Sequence, residues 1–351
     1  MKNLMKKIKL SNVQKILRGA STLYSKRPEL YFNKLWPNFF KKSKNVYLWD
    51  LNGKKYLDFI FAVGTNTLGY SNPKINAAVI KSIIQGNMTS LNCPEEYMLA
   101  KELLSIHKWA DEAKFARSGG EANSIAIRLA RSYSTKQNIA LCGYHGWHDW
   151  YLASNFASKN NLSKHLMPNV STVGVSKKLK HTTFTFKYND FDKLKYLVNN
   201  KNIGIIIMEV FRNIEPKNNF LKKVRTLCNK KKIVLIFDEC TSGFRNNYGG
   251  LHLLYGVNPD LAMFGKAMGN GHAITAVIGK KKIMNSAKNS FISSTFWGER
   301  SGYVAALTTL KEMKRIKSWK IILSNGNYLI KEISRLGKNH GLEIEFSGKP
   351  S

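Results

Sequence analysis

Acidic residues are scarce. The 351-residue chain carries 22 Asp and Glu against 56 Lys and Arg, a formal net charge of +34. Such a balance raises nucleic acid or an anionic surface as partners. The excess is mostly lysine spread from end to end, however, and no basic stripe interleaves with aromatics as a single-strand groove requires. It reads as a drift in residue usage that leaves a basic, solvated surface, and no nucleic-acid partner is expected. Cysteine is sparse too: Cys93, Cys142, Cys228 and Cys240, none in a CxxC pair. Their spacing suits no zinc site, and no metal is expected. Cys142 and Cys240 end apolar runs as small buried side chains would, and a reducing, cytoplasmic setting fits. No apolar run reaches the roughly 18–20 residues of a spanning helix, so no membrane partner is expected. The start, MKNLMKKIKL, lacks the long apolar stretch and small-residue cleavage site of a signal peptide; an amphipathic first helix is expected instead. Internal repeats and low-complexity linkers are absent.

What remains is ample for a large core: 43% of residues are hydrophobic. The length allows two domains, or one large α/β domain with an appendage. Asn45–Asp58 reads as a hairpin around an Asn52–Gly53 turn. Pro73–Gln85 and Glu95–His107 have helical spacing, the first opened by proline. From residue 110 to 280 strands and helices alternate. Strands are expected at Asn138–Cys142, Ile203–Met208, Ile233–Phe237, Leu261–Phe264 and Thr275–Ile278, with helices at 121–134, 190–200 and 219–231. Ile203–Met208 and Ile233–Phe237 are continuously apolar, as strands covered on both faces should be. The alternation argues a mainly parallel sheet with helices on both faces, whose site lies beyond the carboxyl ends of the strands. Two further helices (302–319 and 321–336) and a strand at Leu342–Phe346 are expected after it.

The chain is organised around Pro259–Gly279, PDLAMFGKAMGNGHAITAVIG. Lys266 stands between two apolar strands, flanked by glycines that let the backbone bend. A lysine at the end of a buried strand loses hydration, which lowers its pKa and makes it a nucleophile toward carbonyls; the alternative is one more surface lysine. Ser118–Glu121, SGGE, opens an amphipathic helix. It reads either as a phosphate cradle of bare N–H groups or as a plain capping box. IVLIFDECTSGFR carries Asp238 and Glu239 to a strand's end, where a buried carboxylate needs a cation. A protonated heterocyclic nitrogen would serve, as would a salt bridge to Arg245 or a lysine. GYHGWHD offers Tyr144 and Trp147 for stacking; His145 and His148 read as structural histidines more readily than as metal ligands. Thr295, within ISSTFWGER, is uninformative alone.

The ordered set SGGEA, GYHG, FDECTSGFR, GKAMGNG and STFWGER resembles the class III aminotransferases, pyridoxal 5′-phosphate enzymes of fold type I. Within them it looks most like the branch containing glutamate-1-semialdehyde aminomutase, and YLWDLNGKKYLDF matches the family's N-terminal hairpin. The resemblance covers roughly residues 25–346. It implies an α/β fold with a seven-stranded, mainly parallel sheet, plus a small α+β domain that the chain leaves incomplete. It divides the chain into a segment at 1–60, a cofactor-binding domain at 61–295 and the start of a small domain at 296–351. By the resemblance Lys266 forms the internal aldimine and then acts as general base, and Asp238 pairs with the pyridine nitrogen. Cys240 lies under the ring where the family has a small apolar residue, and Tyr144 stacks on it. Ser118, Gly119 and Gly120 hold the phosphate, Gly120 replacing the usual threonine and losing its hydroxyl. Thr295 reaches the phosphate of the neighbouring subunit, which implies a homodimer with shared sites. The partners are then a small-molecule amino donor and a carbonyl acceptor. An aminotransferase is expected first and an aminomutase second, because Trp297, Glu299 and Arg300 would put bulk and charge where the aminomutase pattern is small. A basic nucleic-acid or anionic-surface binder with a degenerate enzyme fold is the alternative of another class.

Overall fold

The computed structural model describes residues 8–31, 36–156, 161–162 and 170–351. Most of the expected first helix lies outside the described residues. A short helix, α1 (Leu10–Ile16), begins at its end and buries nothing. A three-stranded antiparallel sheet follows, β1 (Phe40–Lys44), β2 (Tyr47–Asp50) and β3 (Lys55–Leu57). The β2–β3 turn is the expected Asn52–Gly53 turn. The Asp50 carboxylate accepts the N–H groups of Asn52 and Lys54 at 2.9 Å each, an Asx turn, while Gly53 sits at φ +88°.

Helices α2 (Pro73–Gln85) and α3 (Pro94–Ile106) lead into the main sheet. Its strands are β4 (Glu112–Ala116), β5 (Asn138–Cys142), β6 (Thr183–Thr185), β7 (Ile203–Glu209), β8 (Val234–Asp238), β9 (Leu261–Phe264) and β10 (Thr275–Gly279), in the order β4-β10-β9-β8-β7-β5-β6. Only β10 runs against its neighbours. The five strands expected between residues 110 and 280 are all there; β4 and β6 are the two that periodicity did not show. They form the edges, so one carries Glu112 and Lys114 and the other is three residues long.

Side-chain alternation sorts β7 and β8 between two layers. Ile205, Ile207, Val234 and Ile236 face α4 (Gly119–Tyr133), which buries Ala122, Ile125, Ala126 and Leu129. Ile206, Met208, Leu235 and Phe237 face α5 (Phe191–Asn200) and α6 (Phe220–Lys231), which bury Leu194, Leu197, Phe220 and Val224. With both faces covered, every residue of β7 is buried.

Helix α7 (Arg300–Ile316) packs on α2 and α3, its buried Tyr303, Ala306, Leu310 and Met313 joining Leu99, Leu103 and Phe264. α8 (Ser318–Asn339) follows, the break falling at Lys317, whose φ is +52°. The strand expected at Leu342–Phe346 is not formed. Among the described residues no strand pairs with it, and Leu342, Ile344 and Phe346 are exposed. Ile207→Ala, which opens a void between sheet and α4, is expected to lower unfolding free energy by about 2–5 kcal/mol in urea titration.

Candidate active site

Topology brings the sequence motifs to one edge. β5, β7, β8 and β9 are parallel, and β4, antiparallel to β10 as β9 is, points the same way. The turn before α4, the loop after β5, Glu209, Asp238 and Lys266 therefore all leave the same end of the sheet.

Asp238 is buried and held by three donors. Its Oδ2 accepts Asn123 Nδ2 and His145 Nδ1, each at 2.9 Å, and its Oδ1 accepts the Cys240 N–H at 3.0 Å. Burial pushes its carboxyl up, but the bonds and charge of His145 and the other donors outweigh this and leave it below the ordinary range. The salt bridge to Arg245 considered from sequence is not formed: Arg245 donates to the Gly64 carbonyl at 2.5 Å, and its charge helps lower the Lys266 amine.

Lys266 follows β9 on the adjacent tip. Its Nζ donates to Thr241 Oγ1 at 2.8 Å, and burial lowers its amine below the ordinary lysine value. It is also held at φ +41°, a left-handed backbone that costs a non-glycine residue roughly 1–2 kcal/mol. The strand tips thus carry a desolvated amine on strained backbone near a buried acid.

At the α4 turn the capping box is formed. Ser118 Oγ accepts the Glu121 N–H, and the Glu121 carboxylate accepts the N–H groups of Ser118 at 2.8 Å and Arg117 at 3.0 Å. The phosphate reading survives beside it, because the N–H groups of Gly119 and Gly120 have no acceptor among the described residues. Arg117, just before the turn, grips the segment containing Thr295. Its guanidinium donates to the carbonyls of Phe296 at 2.7 Å, Ala273 at 3.1 Å, Trp297 at 3.0 Å and Glu299.

The class-III aminotransferase pattern matches residues 32–345. The chain belongs to the class-III aminotransferases. It is similar to the 3-aminobutyryl-CoA aminotransferase of Cloacimonas acidaminovorans, 34% identical over 98% of this chain and 83% of the relative. A glutamate-1-semialdehyde 2,1-aminomutase of Campylobacter hominis is 33% identical over 90% and 71%. Among solved structures, the internal aldimine form of Sphingopyxis sp. MTA144 FumI superposes with a TM-score of 0.87 at 23% identity, over 97% of this chain and 80% of that one. An omega-transaminase from Sphaerobacter thermophilus gives 0.85 at 24%, over the same shares.

As a class-III aminotransferase the chain moves an amino group on small-molecule substrates, and its cofactor is pyridoxal 5′-phosphate. The edge fits that cofactor at each end: two free N–H groups for an anion, a buried carboxylate for a ring N–H, and a desolvated amine for an aldehyde. Tyr144 stands half-buried over the same edge, its N–H bonded to Glu209 at 3.0 Å, and Cys240 lies against Gly119 and Gly265. Thr295 is exposed and makes no side-chain bond to the site of its own chain. Trp297, Glu299 and Arg300, expected to bring bulk and charge to the site, each have a partner within the chain. Trp297 Nε1 donates to Glu121 at 3.0 Å, Glu299 caps α7, and Arg300 forms a two-pronged pair with Glu95 at 2.7 and 3.0 Å. Their charges are spent on holding the turn. Thr241, Asn123 and Arg117 went unnoticed in sequence, since a hydroxyl, an amide on a helix and one arginine among many carry no signal until folding places them. No cluster able to hold a metal forms among the described residues.

Behind Asp238, Glu239 is fully buried. It accepts the N–H groups of Leu251 at 2.9 Å and His252 at 2.8 Å, His252 Nδ1 at 2.7 Å, and the Ser242 hydroxyl. Nearby His107 is held neutral by burial, its pKa lowered to about 4. The unfolded chain therefore binds this proton first, and stability is lost as pH falls from the ordinary histidine range toward 4. Asp238 and Glu239, both depressed, contribute above the ordinary carboxylate range and lose that contribution on further acidification. His107→Gln, which keeps one donor and one acceptor, is expected to flatten the upper limb of the stability profile by up to one proton, as read from urea midpoints across pH.

Proposed function

We propose that Lys266 is the catalytic base and cofactor anchor of this aminotransferase, and that Asp238 holds the ring nitrogen. The observation that carries this is the desolvated Lys266 amine on the strand tip near a buried Asp238, whose three donors leave it room for one more. Bound pyridoxal 5′-phosphate supplies an aldehyde for the donor's amine and a ring that accepts electron density. Asp238, held anionic by His145 and Asn123, keeps the proton on the ring nitrogen. Gly119 and Gly120 give their N–H groups to the phosphate at the positive end of α4, Ser118 bounding the turn. Tyr144 and Cys240 flank the ring. Lys266, hydrogen-bonded to Thr241, would take the proton from the donor's Cα and would return it to the carbon that carries the cofactor's aldehyde group, two bonds away across the nitrogen.

We propose transfer between two molecules as the reaction, supported by the aminotransferase matched over nearly the whole chain. A β-amino acyl donor of the kind named for that relative is the first to try. The aminomutase reading draws on the relatives so named. Conversion of glutamate-1-semialdehyde to aminolevulinate without any second substrate would decide for it. We also propose a homodimer in which Thr295 completes the neighbour's phosphate site. Thr295 is exposed, and Phe291 and Phe296 beside it are 88% and 67% exposed. The division at 1–60, 61–295 and 296–351 belongs to this proposal, its second boundary set by function, since α7 packs on α2 and α3. A reducing cytoplasm suits the four unpaired cysteines, and no described helix is long and apolar enough to cross a membrane.

The holoprotein is expected to be yellow, and borohydride reduction followed by peptide mass mapping should find the pyridoxyl group on Lys266. A label elsewhere, or none, overturns the assignment. Lys266→Ala should lose the label and at least about 10²–10⁴-fold in turnover. In sedimentation the protein should run as a dimer, with Thr295→Ala weakening cofactor binding but not dimerisation.

A further inference from the structure

Gly120 stands where the family pattern has threonine, and the structure shows what occupies the vacated space. A Cβ built on Gly120 would lie 3.3 Å from His148 Nε2 and 3.6 Å from its Cδ2 and Cε1. The imidazole thus fills the volume of the third turn residue's side chain. The loop carrying it is pressed onto the turn: Gly146, at φ +100°, would with a Cβ come within 3.1 Å of the Gly120 Cα.

The direction of the His148 ring is set from behind. Trp150 Nε1 can only donate, and it does so to Ser124 Oγ at 3.1 Å. The Ser124 hydroxyl meets no other acceptor among the described residues and gives its proton to His148 Nδ1. With Nδ1 accepting, the proton of the neutral ring resides on Nε2, and protonation leaves it there. Nε2 faces the turn and has no partner among the described residues. Ser124 lies on α4 one turn beyond Gly120, so ring and anion turn ride on the same helix. Trp147 packs edge-on at 4.7 Å against the imidazole.

We infer that His148 Nε2–H supplies the cofactor phosphate with the hydrogen bond that the missing threonine hydroxyl would have made, with Ser124 and Trp150 as positioning residues. This rests on the phosphate lying at Ser118–Gly120. The exchange is one of volume as well as chemistry: threonine at 120 and histidine at 148 compete for the same space.

The test uses the full chain freed of cofactor, titrated with pyridoxal 5′-phosphate and with pyridoxal, which lacks the phosphate. Wild-type protein should prefer the phosphorylated form strongly. His148→Ala should weaken pyridoxal 5′-phosphate by about 10–100-fold, as loss of a bond to a charged group does, and leave pyridoxal unchanged. His148→Gln, which retains a donor, should recover part of the loss, and Ser124→Ala should show a smaller loss of the same selective kind. Gly120→Thr alone should bind worse than wild type, whereas Gly120→Thr with His148→Ala should bind better than His148→Ala. If wild type does not distinguish the two ligands, the cofactor-site reading itself fails. If wild type does distinguish them but His148→Ala leaves that preference intact, or weakens both ligands equally, the role given to His148 is overturned and the site reading stands.

Discussion

One buried carboxylate holds the site together. Asp238 cannot be removed from water without compensation, and its compensation comes from three separate segments: Asn123 of α4, His145 of the loop after β5, and the backbone at Cys240. Each bond that satisfies the acid also fixes a piece of the site. Asn123 sets the helix whose first turn offers bare N–H groups, and His145 sets the loop that brings Tyr144 and His148 over that turn. Lys266 needs no contact with the acid to benefit. It is positioned by β9, the parallel neighbour of β8, and desolvated by the same close packing.

The small number of acidic residues has a structural counterpart. Many of them are committed to internal work: Asp238 and Glu239 in the site, and Asp260 between Arg225 at 2.8 Å and Lys280 at 2.7 Å. Glu95 holds Arg300, Glu209 holds Arg212, and Glu312 joins α7 to Lys74 of α2. Most lysines lie outside the ion pairs formed among the described residues, so the surface is basic.

The fold was legible where burial is two-sided. Continuous apolar runs marked β7 and β8, and a proline and helical spacing marked α2 to the residue. Edges escaped notice, because β4 and β6 face solvent along one side and need not be apolar. The strand assigned to Leu342–Phe346 failed for the converse reason: its pattern is right, but no described strand pairs with it. At the proposed site the lysine, the acid and the glycine turn carry a local sequence signal, whereas Thr241, Asn123 and Arg117, which bond to the site or its flanking segment, do not. The sequence shows Trp297, Glu299 and Arg300 as bulk and charge but gives no sign of their partners, Glu121, Arg117 and Glu95. That pairing is a tertiary fact with no local signature.

The guanidinium of Arg117 joins two things that sequence separates by nearly two hundred positions. It immediately precedes the cradle at Ser118, and it clasps the carbonyls of residues 296, 297 and 299. The threonine at 295 is therefore geared to the cradle of its own chain. A shift of that segment would be felt at the turn of the same chain through this one side chain.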